Sequence, residues 1–334
     1  MKNFADRLTA HIRRCQNPVV MGLDPMPEKM PVEFLEKYRT PFQTPVENLT
    51  EAIWQYNRCL IDAVADIVPA IKPQLAYYEM YGENGWRAFV KTTEYAREKG
   101  MLIIADAKRN DIGSTSDAYA KAFLGETPLY EVDDTYIPRA LVDADALTVN
   151  AYTGIDGIQP FLKVCAERGK GIFILVRTSN PSAGDLQDLE LSDGRHVYDA
   201  VAQKVHEWGA TLVGESGYSS VGAVVGATWP QQAEALRRNM PRTPILVPGY
   251  GAQGGSADTA AVNFDADGGG AIVNASRSLM YAYQTRSDIH PMDFAVATRD
   301  EALRMREDLL QAIDRKNHKG QMGTAQHGNG GSPS

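Results

Sequence analysis

The sequence predicts an α/β fold, a (β/α)8 TIM barrel with eight parallel strands, on three observations. Eight short apolar runs recur along 334 residues, and nearly all are separated by segments whose apolar residues repeat at helical spacing. The polar side chains with chemical reach cluster just after those runs, at what would be the carboxyl ends of the strands. An open doubly wound sheet, the competing architecture, would place a glycine fingerprint after the first strand, and MGLDPMP is not one.

Taken in order, Phe4, Leu8 and Ile12 share a helical face and lead into the strand VVMGL, which ends at Asp24 and Pro25. The stretch Thr44-Pro45-Val46-Glu47 has the form of a capping box with proline at the first helical position, and it opens a helix to about residue 68. Residues 70–75 form strand two and carry Lys72; Trp86, Phe89 and Val90 mark the next helix, which Gly100 stops. Strand three begins the stretch LIIADAKRNDIGST, residues 102–115. Side chains alternate along a strand, so Asp106 and Lys108 face the same way if the strand runs through them, while Asp111 lies beyond it. A helix over 116–123 and a polar insertion at about 125–143, bearing Pro128 and Pro138, precede strand four at 146–150. Strands five to eight follow at 171–176, 221–228, 245–247 and 271–273, with a long loop over 181–194. GGG at 268–270 reads as a plain connection, and a last helix carries Phe294, Leu303, Leu310 and Ile313. One barrel domain over 1–315 results, with a Gly/Ser-rich tail over 316–334 expected to be disordered.

A composition of 43% hydrophobic and 23% charged residues fits a chain able to bury a full core. The net charge of -8 and pI near 5.4 argue against a nucleic-acid or anionic-membrane surface, so an anionic ligand needs locally concentrated cations. No apolar run reaches the roughly 20 residues of a membrane span, and MKNFADRLTAHIRRC lacks the apolar core of a signal peptide, which points to the cytoplasm. Three well-separated cysteines suit a reducing compartment, and neither they nor the six histidines show metal-ligand spacing.

The strand ends supply Asp24, Lys72, Asp106 with Lys108, Asn150, Thr178 with Ser179 and Asn180, the loop after strand seven, and Arg277. That loop, VPGYGAQGGSAD, runs through Gly249, Gly251, Gly254 and Gly255 toward a helix start near Ser256, so its backbone amides can approach an anion closely. Barrels often hold phosphate after strands seven and eight, and the planar fork of Arg277 suits a phosphate dianion. Taken singly, Asp24 reads as a helix cap and Gln253 as an ordinary loop amide.

The ordered segments GLDP, AIKPQ, DAKRNDIGST, TVNAY, VRTSNPSA, VVGAT, VPGYGAQGG and VNASRS resemble the orotidine 5'-phosphate decarboxylase family, in its longer, type 2 branch. The resemblance implies a homodimeric barrel that converts orotidine 5'-monophosphate to UMP and CO2 in de novo pyrimidine biosynthesis, with neither metal nor organic cofactor. It assigns Lys72, Asp106, Lys108 and Asp111 to an alternating charged tetrad, with Asp111, Ile112 and Thr115 entering the partner's site. Asp24 and Lys72 would hold ribose hydroxyls; Asn150, Gly254 and Gly255 join the substrate contacts. Ser179 would meet the pyrimidine, Gln253 would link it to the phosphate loop, and Arg277 would grip the phosphate. Asn110 stands where the resemblance implies glycine. Chemically, a carbanion left by CO2 with no electron sink requires a fixed cation, and Lys108 is the candidate both to stabilise and to protonate it. Two alternatives stay open: a metal-assisted sugar-phosphate enzyme of the hexulose-phosphate synthase or keto-gulonate phosphate decarboxylase kind, and a catalytically silent nucleotide-binding protein.

Overall fold

The computed structural model describes residues 2–130, 136–251 and 254–327, with side chains at 130, 136–138 and 319–327 left aside. Eight strands close a barrel: β1 (Val19–Leu23), β2 (Ala70–Pro73), β3 (Leu102–Arg109), β4 (Ala146–Val149), β5 (Gly171–Arg177), β6 (Val221–Val225), β7 (Ile245–Val247) and β8 (Ala271–Ala275). Each pairs in parallel with its sequence neighbours, and β8 pairs with β1, so the sheet has no edge. The predicted architecture is the observed one.

Period-two alternation divides each strand's side chains between two cores. Val20, Ala70, Leu102, Ile104, Ala146, Phe173, Val224, Leu246 and Ile272 fill the barrel interior. Their neighbours on the other face pack against the surrounding helices. Helix α1 (Phe4–Cys15) adds Phe4 and Leu8 to the interior cluster and stoppers the amino-terminal end of the barrel. The Phe4 ring meets Phe173 edge-on at 5.9 Å, and a Cβ on Gly171 would lie 2.2 Å from it. Glycine is required there because the ring occupies the space a side chain would take.

The capping box predicted at Thr44 is present, since the hydroxyl accepts from Glu47 N and the Glu47 carboxylate accepts from Thr44 N, and Pro45 opens helix α2 (Pro45–Val64). Around the barrel follow α3 (Gly82–Glu98), α4 (Gly113–Phe123), α5 (Ile155–Arg168), α6 (Val197–Gly209), α7 (Pro230–Asn239), the five-residue α8 (Ala257–Ala261) and α9 (Phe294–His327).

Three features depart from the sequence expectations. The insertion contains an antiparallel ribbon, Thr127–Tyr130 with Tyr136–Arg139, in which Pro128 lies opposite Pro138; residues 131–135 are outside the described set. The loop over 181–194 is built of short helical turns, Pro181–Ala183 and Gly184–Gln187, anchored by Arg177. That guanidinium is fully buried between the Trp229 and Tyr198 rings and donates to Gln187, Asp188 and Gln232. Finally, α9 continues past the boundary expected at 315 to His327. A helix already nucleated adds a hydrogen bond per residue fixed, and no proline intervenes. Lys316 also ties it to the barrel by donating to the Phe264 carbonyl. The last residues of the expected tail, 328–334, lie outside the described set. Among the described residues no helix is long and apolar enough to cross a membrane.

Candidate active site

At the carboxyl ends of the strands a cavity of about 520 Å³ opens, lined by Asp24, Lys72, Gln74, Asp106, Lys108, Thr148, Ser179, Asn274 and Arg277 among others. Alternation delivers several of these groups. Ala70 faces the interior, so Lys72 two residues on does too; Ile104 leads in the same way to Asp106, Ala146 to Thr148, and Ile272 to Asn274.

Asp106 is the hub. Its Oδ2 accepts from Lys72 Nζ at 2.5 Å and Gln74 Nε2 at 3.0 Å, while its Oδ1 accepts from Lys108 Nζ at 2.6 Å and Thr148 Oγ1 at 2.8 Å. Those four donors match the lone-pair capacity of one carboxylate. The Lys72–Asp106 pair is almost wholly removed from solvent, at 6% and 8% side-chain exposure. Burial alone would raise the Asp106 pKa, but the Lys72 and Lys108 ammoniums outweigh it and hold the carboxyl far below its ordinary range. Burial likewise works to lower the Lys72 pKa, and the Asp106 and Asp24 carboxylates more than reverse it.

Lys108 reaches Asp106 by a route the sequence does not disclose. The pairing of β3 with β4 slips between Ala105 and Arg109, and Lys108 sits in the slip with a left-handed backbone, φ 48°. Its backbone N–H donates to Thr148 Oγ1 at 3.0 Å, so one hydroxyl braces both the bulge and the carboxylate. The two charged groups share a wall, as expected, but through a bulge and not through unbroken alternation. Asn110 has no positive φ; its amide oxygen accepts from Thr153 Oγ1 at 2.9 Å, and so asparagine serves where glycine was expected.

Asp24 and Asn274 present a different kind of group. Oδ1 of each is buried without a hydrogen-bond partner among the described residues, a costly condition unless a donor arrives. Burial raises the Asp24 pKa against the pull of Lys72. Arg277 is exposed at the start of the helical turn Arg277–Met280, lines the cavity with Ser276 and Gly249, and makes no ion pair among the described residues.

Other expected residues stand elsewhere. Asn150 Oδ1 accepts from Tyr152 N at 3.0 Å and does not line the cavity; Thr148, on the same face, does. Gly254 and Gly255 engage their amides within their own loop, donating to the Gly251 and Gly249 carbonyls at 2.9 and 3.0 Å, and neither lines the cavity. Left-handed backbones at Gly249, Gly251 and Gly254 permit this curl. Gln253 lies outside the described residues. Within the chain, Asp111 accepts from Ile112 N at 2.8 Å and does not join the Asp106 cluster. Ile112, 55% exposed, lines a separate groove of about 890 Å³ with Ile155, Pro160, Leu162, Trp208 and Leu212, and Thr115 is exposed nearby in the first turn of α4.

A family model described as "Orotidine 5'-phosphate decarboxylase / HUMPS family" matches residues 18–290. Proteins named orotidine 5'-phosphate decarboxylase include one from Caldicellulosiruptor saccharolyticus, 40% identical over 284 residues covering 85% of this chain and 91% of that one. Another, from Clostridium perfringens, is 39% identical over 310 residues, 93% of this chain and 99% of its own. Among solved structures, one from Streptomyces avermitilis superimposes with a TM-score of 0.72 at 30% identity, over 94% of this chain and 97% of that one. Leishmania donovani OMP decarboxylase does so with a TM-score of 0.65 at 28% identity, over 91% and 98%.

Proposed function

This chain belongs to the orotidine 5'-phosphate decarboxylase family, and from that premise we propose that it removes CO2 from orotidine 5'-monophosphate to give UMP in pyrimidine biosynthesis, without metal or organic cofactor. The observation that carries the reading is the Lys72–Asp106–Lys108 cluster at the mouth of the barrel. Cleaving the bond to the carboxylate releases CO2 and leaves the electron pair on a ring carbon. The Lys108 ammonium stabilises that charge and delivers its proton there, then regains one from solvent. Asp106 fixes where the ammonium lies.

The remaining groups suit the rest of such a nucleotide. Asp24 and Asn274 offer unpartnered buried acceptors to sugar hydroxyls, with Lys72 beside Asp24. Arg277, without an ion pair among the described residues, offers its guanidinium to phosphate, and Ser179, with Gln253 outside the described set, is assigned to the pyrimidine and the phosphate loop. The curled glycine loop we read as an open form; turning its amides onto phosphate would convert remote binding energy into closure. Support for the metal-free reading lies in Asp106, whose accepting positions are filled by lysine, threonine and glutamine donors.

We place the working unit as a homodimer across the groove beside Ile112, which sets Asp111, Ile112 and Thr115 at the partner's site. Support comes from an exposed isoleucine beside an apolar groove, and from an aspartate left out of its own chain's cluster.

The deciding assay follows the absorbance of orotidine 5'-monophosphate with purified protein in excess chelator. Turnover is expected to be unaffected by chelator, and Lys108→Ala is expected to lower kcat by about a thousandfold or more while the variant still binds UMP. Activity abolished by metal removal favours the metal-assisted reading. Wild-type protein that binds UMP and releases no CO2 favours the silent binding protein.

A further inference from the structure

At the opposite end of the barrel, sharing no residue with the candidate active site, lies a cavity of about 560 Å³. Its walls come from three places. Arg7, His11 and Arg14 descend from α1; Gly100, Met101 and Leu102 form the entry to β3; Asp143, Asp145, Arg168 and Lys170 lie at the entries to β4 and β5, with Arg97 from α3 completing the ring. The volume is that of a small-molecule site.

Five cationic side chains face two carboxylates in this cavity, in a protein whose net charge is -8. The carboxylates are committed. Asp145 accepts from Arg7 through one oxygen and from Ile103 N through the other. Asp143 is paired with Lys170 at 2.7 Å, with Arg97 Nε more distant at 3.9 Å. Glu126, from outside the ring, takes Arg168 at 2.5 Å. Arg14 is left with a single contact, a 3.2 Å bond donated to the Gly100 carbonyl, and no carboxylate among the described residues. A second observation is independent of charge. Arg168 Nε and His11 Nδ1 are both buried without a hydrogen-bond partner among the described residues. Buried polar atoms are seldom left so, and of the two it is Arg168 Nε, a cationic donor, that points to a missing anionic group, since the His11 ring already bonds the Pro69 carbonyl.

We propose that this cavity is a second ligand site, which binds a small, multiply charged phosphate compound at the amino-terminal end of the barrel, with Arg14 and Arg168 as its principal contacts. A surplus of guanidinium groups favours phosphate oxygens because the planar fork can donate two parallel bonds to them. Pyrophosphate is a suitable probe, titrated calorimetrically into the full chain. Arg277→Ala removes the cation assigned to phosphate at the other end, so binding that persists in that variant is then assigned by substitutions in the new cavity.

In the Arg277→Ala background, Arg14→Glu is expected to weaken pyrophosphate about tenfold or more, and Arg168→Gln to weaken it severalfold, with cooperative thermal unfolding retained in both. Arg14→Gln, which adds no negative charge, guards against a folding defect and should show the same direction. Binding untouched by all three substitutions overturns the proposal. So does binding that vanishes with Arg277→Ala alone, or wild-type protein that takes up no pyrophosphate.

Discussion

Thr148 shows how much of the site rests on a residue with little chemistry of its own. Its hydroxyl accepts from the Lys108 backbone N–H and donates to Asp106. Thr148→Val keeps the shape and removes both bonds. We expect kcat to fall about tenfold and stability by about 1–3 kcal/mol, the cost of a buried donor left unpaired; denaturant titration beside a kcat measurement checks both. Asp106 gives a pH signature. An unfolded aspartate titrates near ~3.9, and the folded value is held well below that. The stabilisation is therefore complete above the unfolded value and is lost as pH falls through the folded one. Asp106→Asn should flatten the acid limb of stability against pH relative to wild type; an unchanged limb would remove Asp106 from the account. Lys72, Asp106 and Lys108 were legible in sequence because charge at a strand end is conspicuous. Thr148 and Asn274 obey the same alternation, but threonine and asparagine at strand ends are commonplace, and the bulge at Lys108 depends on the register of two strands that no single segment encodes.

Among the elements, α1 is the one whose task the sequence concealed. Its amphipathic face was plain, yet nothing in the spacing said that Phe4 and Leu8 would enter the barrel interior and not the helical shell. Phe4→Ala should cost about 3–5 kcal/mol, since the ring is buried against Phe173 and Gly171 and little around it can collapse; the shift in denaturant midpoint measures it. A value below 1 kcal/mol, the range of a surface change, would mean the floor of the barrel can close without α1. The ribbon at Thr127–Tyr130 and Tyr136–Arg139 was equally hidden, because prolines in both strands read as a loop; facing one another on a two-stranded ribbon they are tolerated. The glycine loop after β7 was found by its composition, while its internal hydrogen bonding was not, since glycine permits many curls and specifies none.

For the molecule as a whole, the barrel followed from the count and order of apolar runs, which is information spread over the entire chain. Assembly is a different matter, because an exposed isoleucine announces a surface and not its occupant. Mixing Lys108→Ala with Asp111→Ala chains tests the shared site. Random pairing makes half the dimers mixed, each with one site carrying both lesions and one carrying neither, so activity should recover to about a quarter of wild type. Activity that stays at the level of the separate variants would confine each site to one chain.

The cluster around Asp106 spans β2, β3 and β4, and this restricts the histories by which such a site can arise. Lys72 without Asp106 is a buried ammonium left with only the Asp24 carboxylate as counter-charge, and Asp106 without its lysines is a buried carboxylate held by Gln74 and Thr148 with no cation. Either orphan costs about 3–5 kcal/mol, a large fraction of a domain's stability. A barrel descending toward or away from this chemistry therefore crosses a valley unless the residues change together or a stabilising change elsewhere comes first. A pair of lysines held on one buried carboxylate is, on these grounds, inherited far more readily than reinvented.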